Sequence, residues 1–336
     1  MNFMWKDIMA GLMMGMVLPG LILNFAAAQL RMGREQEVQP AVAITVPLYE
    51  EVSEPSEPSV KILKIRLRNQ NGEMEEWAVD DYLIGVVLAE MPAWFEAEAL
   101  KAQAVVARTY ALKAYSTGGK HGDGSVCTQP GCCQAYISED AYLQEKGSTA
   151  DLEKIRAAVE ETSGYVLVYD GDLIEATYFS CSGGKTEDAL AVWGTDYPYL
   201  RSVNSPGEEA ATHYSDTEFF DAEEFCASLG IPLQGSPKDW VESITYTSGG
   251  GIAEARICGK LFSGVQLRNL LGLRSTSISI TAAEEGITVM TKGYGHRVGM
   301  SQYGADAMAV SGSTWQQILS HYYSGTSVVK WKEEYT

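Results

Sequence analysis

Basic residues are scarce in this chain. Lysine and arginine together number 25 against 44 aspartates and glutamates, a formal charge of -19 over 336 residues. Such a surface repels phosphate backbones, and no dense Lys/Arg patch overrides it, so nucleic-acid binding is set aside. No internal repeat is found. Strands and helices do not alternate regularly, which argues for an α+β fold, a mixed sheet-and-helix domain, over a doubly wound parallel sheet.

One long stretch lacks charge altogether. Residues 8–28, "IMAGLMMGMVLPGLILNFAAA", could span the ~30 Å hydrocarbon core of a bilayer as a helix. Lys6 precedes it and Arg31 and Arg34 follow, so the flanking charges do not choose an orientation. Residues 1–34 are read as an N-terminal transmembrane signal anchor exporting the bulk of the chain; small residues at Ala26, Ala27 and Ala28 keep a cleavable signal peptide as the alternative. Residues 35–59 are rich in Glu, Pro and Ser and form an extended acidic linker.

What remains, residues 60–336, is read as the folded domain. With 46% hydrophobic residues the chain can bury a substantial core. Val60, Ile62, Ile65 and Leu67 alternate with polar neighbours, with a slip at Leu63-Lys64 that suggests a bulge, and Asn71-Gly72 supplies a hairpin turn. An unusually Ala-rich helix follows Pro92, with Leu100, Ala104, Ala107 and Ala111 on one face; its small side chains suit the centre of a core. A second helix is expected over 151–161, and Asp170-Gly171 joins two strands, the second leading into the polar loop 180–185. The character changes near residue 206: a short helix over 222–229 and then Gly-rich turns and strands suggest a smaller subdomain inserted over 206–285. "STWQQILSHYY" opens with a capping box, Ser313 with Gln316, and closes the domain as a helix.

Four stretches, "GVVLAEMPAWFEAEALKAQAVVARTYAL", "TYFSCSGGKTEDALAVWG", "FSGVQLRNLLGLRST" and "GYGHRVGMSQYGADAMA", resemble in order and spacing the motifs of the stage II sporulation protein D family. The resemblance covers roughly residues 60–326. It implies a membrane-anchored lytic transglycosylase acting outside the cytoplasm on peptidoglycan glycan strands, in the space between mother cell and engulfed forespore. It also implies strands already stripped of stem peptides, and an amidase and a multi-span membrane protein as partners. Glu90 occupies the position of the family's catalytic glutamate. Related amidase-enhancer proteins share the domain, so a non-catalytic amidase-enhancing or glycan-binding module is the alternative.

The residues agree with the first reading. A glycosidase that activates water needs two carboxylates. One suffices when the attacking group is the sugar's own C6 hydroxyl, because the same acid can protonate the leaving oxygen and then take up the hydroxyl proton. Such an acid needs a raised pKa, and "GVVLA" before Glu90 with "MPAWF" after it supplies apolar surroundings. Arg108 is read as a partner for the muramyl lactyl carboxylate or, equally, as a helix-end ion pair. Ser180, Ser182 and Lys185 lie in a loop suited to approach a sugar, or in a tight turn. Cys181 stands where the family carries a small or hydroxyl residue. Tyr294, His296, Ser301 and Gln302 lie among glycines and are read as glycan contacts; Arg297 stands where the family has glycine.

"HGDGSVCTQPGCCQAY" places His121, Cys127, Cys132 and Cys133 in one loop. Soft sulfur and imidazole donors suit a structural zinc. A disulfide from Cys127 to Cys132 or Cys133 is the rival outside the cytoplasm. Cys226 and Cys258 stand alone and are read as small core residues.

Overall fold

The computed structural model describes residues 63–332 except 70 and 146. The apolar segment 8–28, the linker 35–59, Val60 and Ile62 lie outside the described residues. Among the described residues no helix is long and apolar enough to cross a membrane.

The fold is α+β. Its first hairpin pairs β1 (Lys64–Arg68) antiparallel with β2 (Met74–Ala78). The turn is shaped by Asn69, whose Oδ1 accepts the backbone N–H groups of Asn71 and Glu73, and by Gly72 at φ 83°. β3 (Ser125–Cys127) adds to β1 in parallel. After β2 the chain enters helix α1 (Val79–Glu90), with every residue from Tyr82 to Leu88 buried. Its period is masked because it is apolar on all sides, so neither strand nor helix alternation shows.

The Ala-rich helix α2 (Ala97–Thr117) ends at Gly118, whose φ of 89° is the left-handed cap glycine favours. Helix α3 is Glu139–Glu145, and α4 (Thr149–Glu161) is capped by Ser148 and Asp151 in a reciprocal box. β4 (Tyr165–Tyr169) and β5 (Asp172–Leu173) form the hairpin expected at Asp170-Gly171, both with positive φ. β6 (Tyr178–Phe179) and the short helix α5 (Ala189–Trp193) follow.

The next stretch holds β7 (Ser215–Phe220), α6 (Ala222–Leu229), β8 (Val241–Tyr246), β9 (Ile252–Ile257), β10 (Lys260–Phe262), α7 (Gly264–Leu270), β11 (Ser277–Ala283) and β12 (Gly286–Lys292). They make two three-stranded sheets, ordered β10-β9-β8 and β11-β12-β7. An apolar cluster between Phe220 and Val289, including buried Cys226, is separate from the main one. The chain then returns: β13 (Met300–Ser301) pairs in parallel with β6, α8 (Gln302–Val310) and α9 (Trp315–Tyr322) follow, and β14 (Ser327–Lys330) joins β4. The capping box of α9 is Thr314 with Gln317, one residue beyond the expected Ser313 with Gln316. Both pairs fit the pattern; the register that starts the helix at Trp315 buries Trp315, Ile318, Leu319 and Tyr322 together.

α2 is the axis of the main core. It packs against α1, α4, α8, α9 and β4, and its alanines at 99, 102, 104, 107 and 111 are buried completely. Small side chains let several elements approach one helix. Arg108 is also 0% exposed, and this overturns its reading as a carboxylate-binding group at the cleft. Its guanidinium donates to Asp80 Oδ1 (2.8 and 3.1 Å) and to the carbonyls of Val159 (3.2 Å), Thr162 (2.8 Å) and Tyr165 (3.3 Å). It ties α1 to α2 and closes the C-terminal carbonyls of α4. Replacing Arg108 with methionine would remove the counter-charge of Asp80, leaving it the Ser163 hydroxyl (2.5 Å), and would take a charged donor from each of those carbonyls. R108M is expected to lose roughly 2–3 kcal/mol of stability, read from denaturant unfolding; a loss under about 1 kcal/mol would remove the arginine from this role.

Candidate active site

Glu90 is the last residue of α1. Met91 after it is extended (φ -124°, ψ 139°), the conformation a following proline favours, so Pro92 stops the helix directly beyond the acid. The carboxyl therefore sits at the partially negative end of a helix whose preceding turns are buried. It lines a cleft of about 630 Å3, a size usual for small-molecule sites. The walls come from distant segments: Gln134 from the cysteine loop, the stretch 175–180 through β6, Trp193 from α5, Tyr294 to His296, and Gln302 at the start of α8.

Glu90 Oε1 accepts the Ala135 backbone N–H (2.8 Å) and the Tyr178 hydroxyl (3.1 Å). Gln302, whose Nε2 has no hydrogen-bond partner, lies close enough to favour the anion as well. Burial outweighs these donors and raises the carboxyl above its ordinary range. Burial, with Glu90 second, holds the Tyr178 phenol far above its usual range, so it remains a donor. Gln134 Nε2 donates to Tyr178 Oη (3.1 Å), and Tyr82 donates to Gln134 Oε1 (3.3 Å). This chain Tyr82–Gln134–Tyr178–Glu90 escapes the sequence reading. Its only linear signal is that Gln134 follows the paired cysteines and Tyr178 precedes the Ser/Gly loop.

The other candidates divide. Ser180, Tyr294, His296 and Gln302 line the cleft. His296 Nδ1 accepts the Val298 N–H (3.1 Å), and burial, followed by the Arg268 charge, lowers its pKa to about 4. It is a neutral ring packed between Phe179 and Trp193, with centroids 5.5 and 5.3 Å away. Ser301 is buried and caps α8, accepting from Gly304 N–H (3.2 Å). Lys185 lies outside the cleft lining and donates to the Ser248 carbonyl (2.6 Å).

Ser182 faces inward, because its loop grips a carboxylate of the protein itself. Glu208 Oε2 accepts from the Ser182 hydroxyl and N–H (both 2.8 Å), from Gly183 N–H (2.9 Å) and from the Cys181 thiol (3.3 Å). Burial, then Glu208, pushes that thiol up to about 12, so Cys181 serves as a donor where a hydroxyl would. Ser205 donates to Glu208 Oε1 (2.5 Å). Gly183 and Gly184 adopt φ of 75° and 108°, which turns successive N–H groups onto one acceptor. Arg297 also has a left-handed φ, 65°, a position that glycine takes without strain. Its buried guanidinium compensates, donating to the Ser182, Lys185 and Gly249 carbonyls at 2.7–2.8 Å and to Glu187 (3.3 Å).

The cysteine loop brings its four soft donors together. The ligand atoms of His121, Cys127, Cys132 and Cys133 all lie within 4.8 Å of one another. His121 Nε2 is 3.7 Å from Cys132 Sγ and 3.6 Å from Cys133 Sγ, and the two sulfurs are 3.9 Å apart. All of these cysteines are free thiols. The loop then runs straight into Gln134 and Ala135, the partners of Tyr178 and Glu90.

The titration of Glu90 tests this geometry without reference to any reaction. Carboxyl-carbon NMR is expected to show it ionising above an ordinary glutamate. Tyr178→Phe should move it higher still, since the lost phenol stabilises the anion. A downward move in that variant would contradict the hydrogen bond from Tyr178.

Comparison with known proteins gives the family of the chain. Residues 68–169 match the family model described as SpoIID, stage II sporulation protein. The chain is 41% identical over 266 residues to stage II sporulation protein D of Bacillus subtilis (strain 168), covering 78% of this chain and 77% of that one. It is 40% identical over 281 residues to the protein of that name from Bacillus amyloliquefaciens, covering 81% of each. The amidase enhancer of Bacillus subtilis (strain 168) is 28% identical over 302 residues, 74% of this chain and 40% of that one. The acid that ends α1 and the cleft around it thus lie in a chain that belongs to the stage II sporulation protein D family.

Proposed function

We propose that this protein is a lytic transglycosylase that cleaves peptidoglycan strands between N-acetylmuramic acid and N-acetylglucosamine during forespore engulfment. The observation that carries the reading is Glu90, a carboxyl raised by burial, bordering a cleft, with its Oε1 held by two donors. With Oε1 occupied as an acceptor, the proton resides on Oε2. Transfer to the glycosidic oxygen breaks its bond to the muramyl C1. The resulting carboxylate then takes the C6 hydroxyl proton as O6 bonds to C1. Glu90 regains its proton, no water is consumed, and a 1,6-anhydro end results. Tyr178 and the Ala135 N–H stabilise the carboxylate between the two transfers.

Two other readings have observations behind them. Glu175 also lines the cleft, though it is ion-paired with Lys113 (3.2 Å); a hydrolase using it to activate water would leave reducing ends. The likeness to an amidase enhancer supports a glycan-binding module without turnover. Mass spectrometry of the products separates the three. Anhydro-muramyl ends are expected from the wild type. Glu90→Gln should reduce their release by about a thousandfold or more while the strand stays bound, and near wild-type release from this variant would remove Glu90 from the chemistry.

The cysteine cluster fits zinc. Tetrahedral bonds of ~2.3 Å to sulfur and ~2.0 Å to nitrogen place ligand atoms about 3.5–3.8 Å apart, close to the 3.6–3.9 Å separations among His121, Cys132 and Cys133, with Cys127 Sγ within 4.8 Å of all three. Three thiolates and an imidazole fill four positions, so the metal would hold the loop carrying Gln134 and Ala135 and leave no position for activated water. Elemental analysis of the purified chain is expected to give one zinc per molecule, and chelation to lower the unfolding midpoint. Absence of zinc with two thiols missing from a titration without reductant would establish the disulfide instead.

Attachment to the outer face of a membrane rests on the apolar segment 8–28 and the acidic linker. Denuded strands as substrate, with an amidase and a multi-span membrane protein as partners, follow from the family. The acidic surface gives no support to nucleic acid as a ligand.

A further inference from the structure

Trp193 is the feature of the cleft that the single-acid chemistry leaves unused. It lines the same cavity as Glu90, yet 40% of it is exposed. Nothing about its helix suggests an accidental exposure. α5 is anchored at its start by the Ala189 N–H to the Leu200 carbonyl (3.1 Å) and by Asp188 Oδ1, which accepts the Ser202 N–H (2.8 Å). It is closed by Gly194 at φ 73°, a left-handed cap directly after the tryptophan. The ring is therefore presented by a fixed turn, not by a fraying end.

The support behind it is equally fixed. His296 packs against the indole at 5.3 Å, with Phe179 on the imidazole at 5.5 Å and the Val298 N–H on its Nδ1. An uncharged imidazole can press against an aromatic face and demand no solvent, which fits its lowered pKa. Among the described residues the Trp193 indole N–H makes no hydrogen bond to protein, so it is available to a ligand. A flat, partly apolar face with one free donor at its rim matches a pyranose ring, whose C–H face is apolar and whose edge carries hydroxyl and acetamido acceptors.

We propose that Trp193, propped by His296, is the platform on which one pyranose ring of the bound strand lies, making it a substrate-positioning residue of the Glu90 cleft. This rests on the reading of that cleft as a glycan site. It gives His296 a purpose that proton transfer does not: the imidazole keeps the indole in place.

The test uses the full-length chain and soluble oligomers of alternating N-acetylglucosamine and N-acetylmuramic acid. Binding is measured in the Glu90→Gln background by calorimetry and by tryptophan fluorescence; kinetics are measured with Glu90 intact. Trp193→Ala is expected to bind roughly tenfold more weakly and to raise KM by about the same factor, with kcat within about threefold. Trp193→Phe keeps a flat ring and should restore most of the affinity while abolishing the fluorescence response to ligand. Equal thermal midpoints for the variants and their parent separate this from unfolding. Unchanged affinity and KM in Trp193→Ala, or a loss confined to kcat, would overturn the platform and leave the transglycosylase reading intact. If the wild type yields no anhydro ends yet Trp193→Ala still loses binding, the platform stands and the reaction falls. Failure of the parent chain to bind the oligomers at all overturns both.

Discussion

The buried guanidinium of Arg108 is the interaction on which the main domain turns. It lies in the middle of a helix surrounded by other elements, where an unpaired charge would be prohibitive. Asp80 supplies the counter-charge from the first turn of α1, and the last carbonyls of α4 accept the remaining donors. One side chain therefore fixes the helix at whose far end Glu90 stands. The arginine bears on the site through that helix, not through contact with a ligand.

A second buried charge organises the opposite wall. Glu208 draws the Ser/Gly loop after β6 around its carboxylate, and Arg297 binds the same loop from behind. With β6 and β13 paired in parallel, Tyr178 and Gln302 are brought to the same carboxyl from positions far apart in the chain. The third wall depends on the loop holding His121 and the cysteines, because Gln134 and Ala135 follow Cys133 directly. Glu90 is thus surrounded by polar groups whose own supports are all fixed, which is how a carboxyl can be both desolvated and well oriented.

Much of this was legible in the amino-acid order. Local rules marked the Asp170-Gly171 hairpin, the helix from residue 222, the Ala-rich core helix and the acid beside a proline. Those signals are short-range: turn glycines, caps and small-residue faces act within a few residues of themselves. The four soft donors of the cysteine loop were legible for the same reason, lying within one stretch of chain. α1 was not, since a helix buried on every side has no polar stripe to betray its period.

Side-chain direction was decided only by the tertiary structure. Arg108, Ser182 and Lys185 are the residue types a sugar site uses, but a linear pattern does not say whether a polar group faces ligand or protein. Glu208, Asp80 and Ser248, distant in sequence, settle that question by supplying their partners. The same holds in reverse for Tyr178, Gln134 and Trp193, which carry no local signal of function and which long-range packing brings to the cleft. Chain order by itself placed a lone acid between an apolar run and a proline. Which groups surround that acid, and how far they raise its affinity for a proton, depends on desolvation by segments that meet only when the chain is folded.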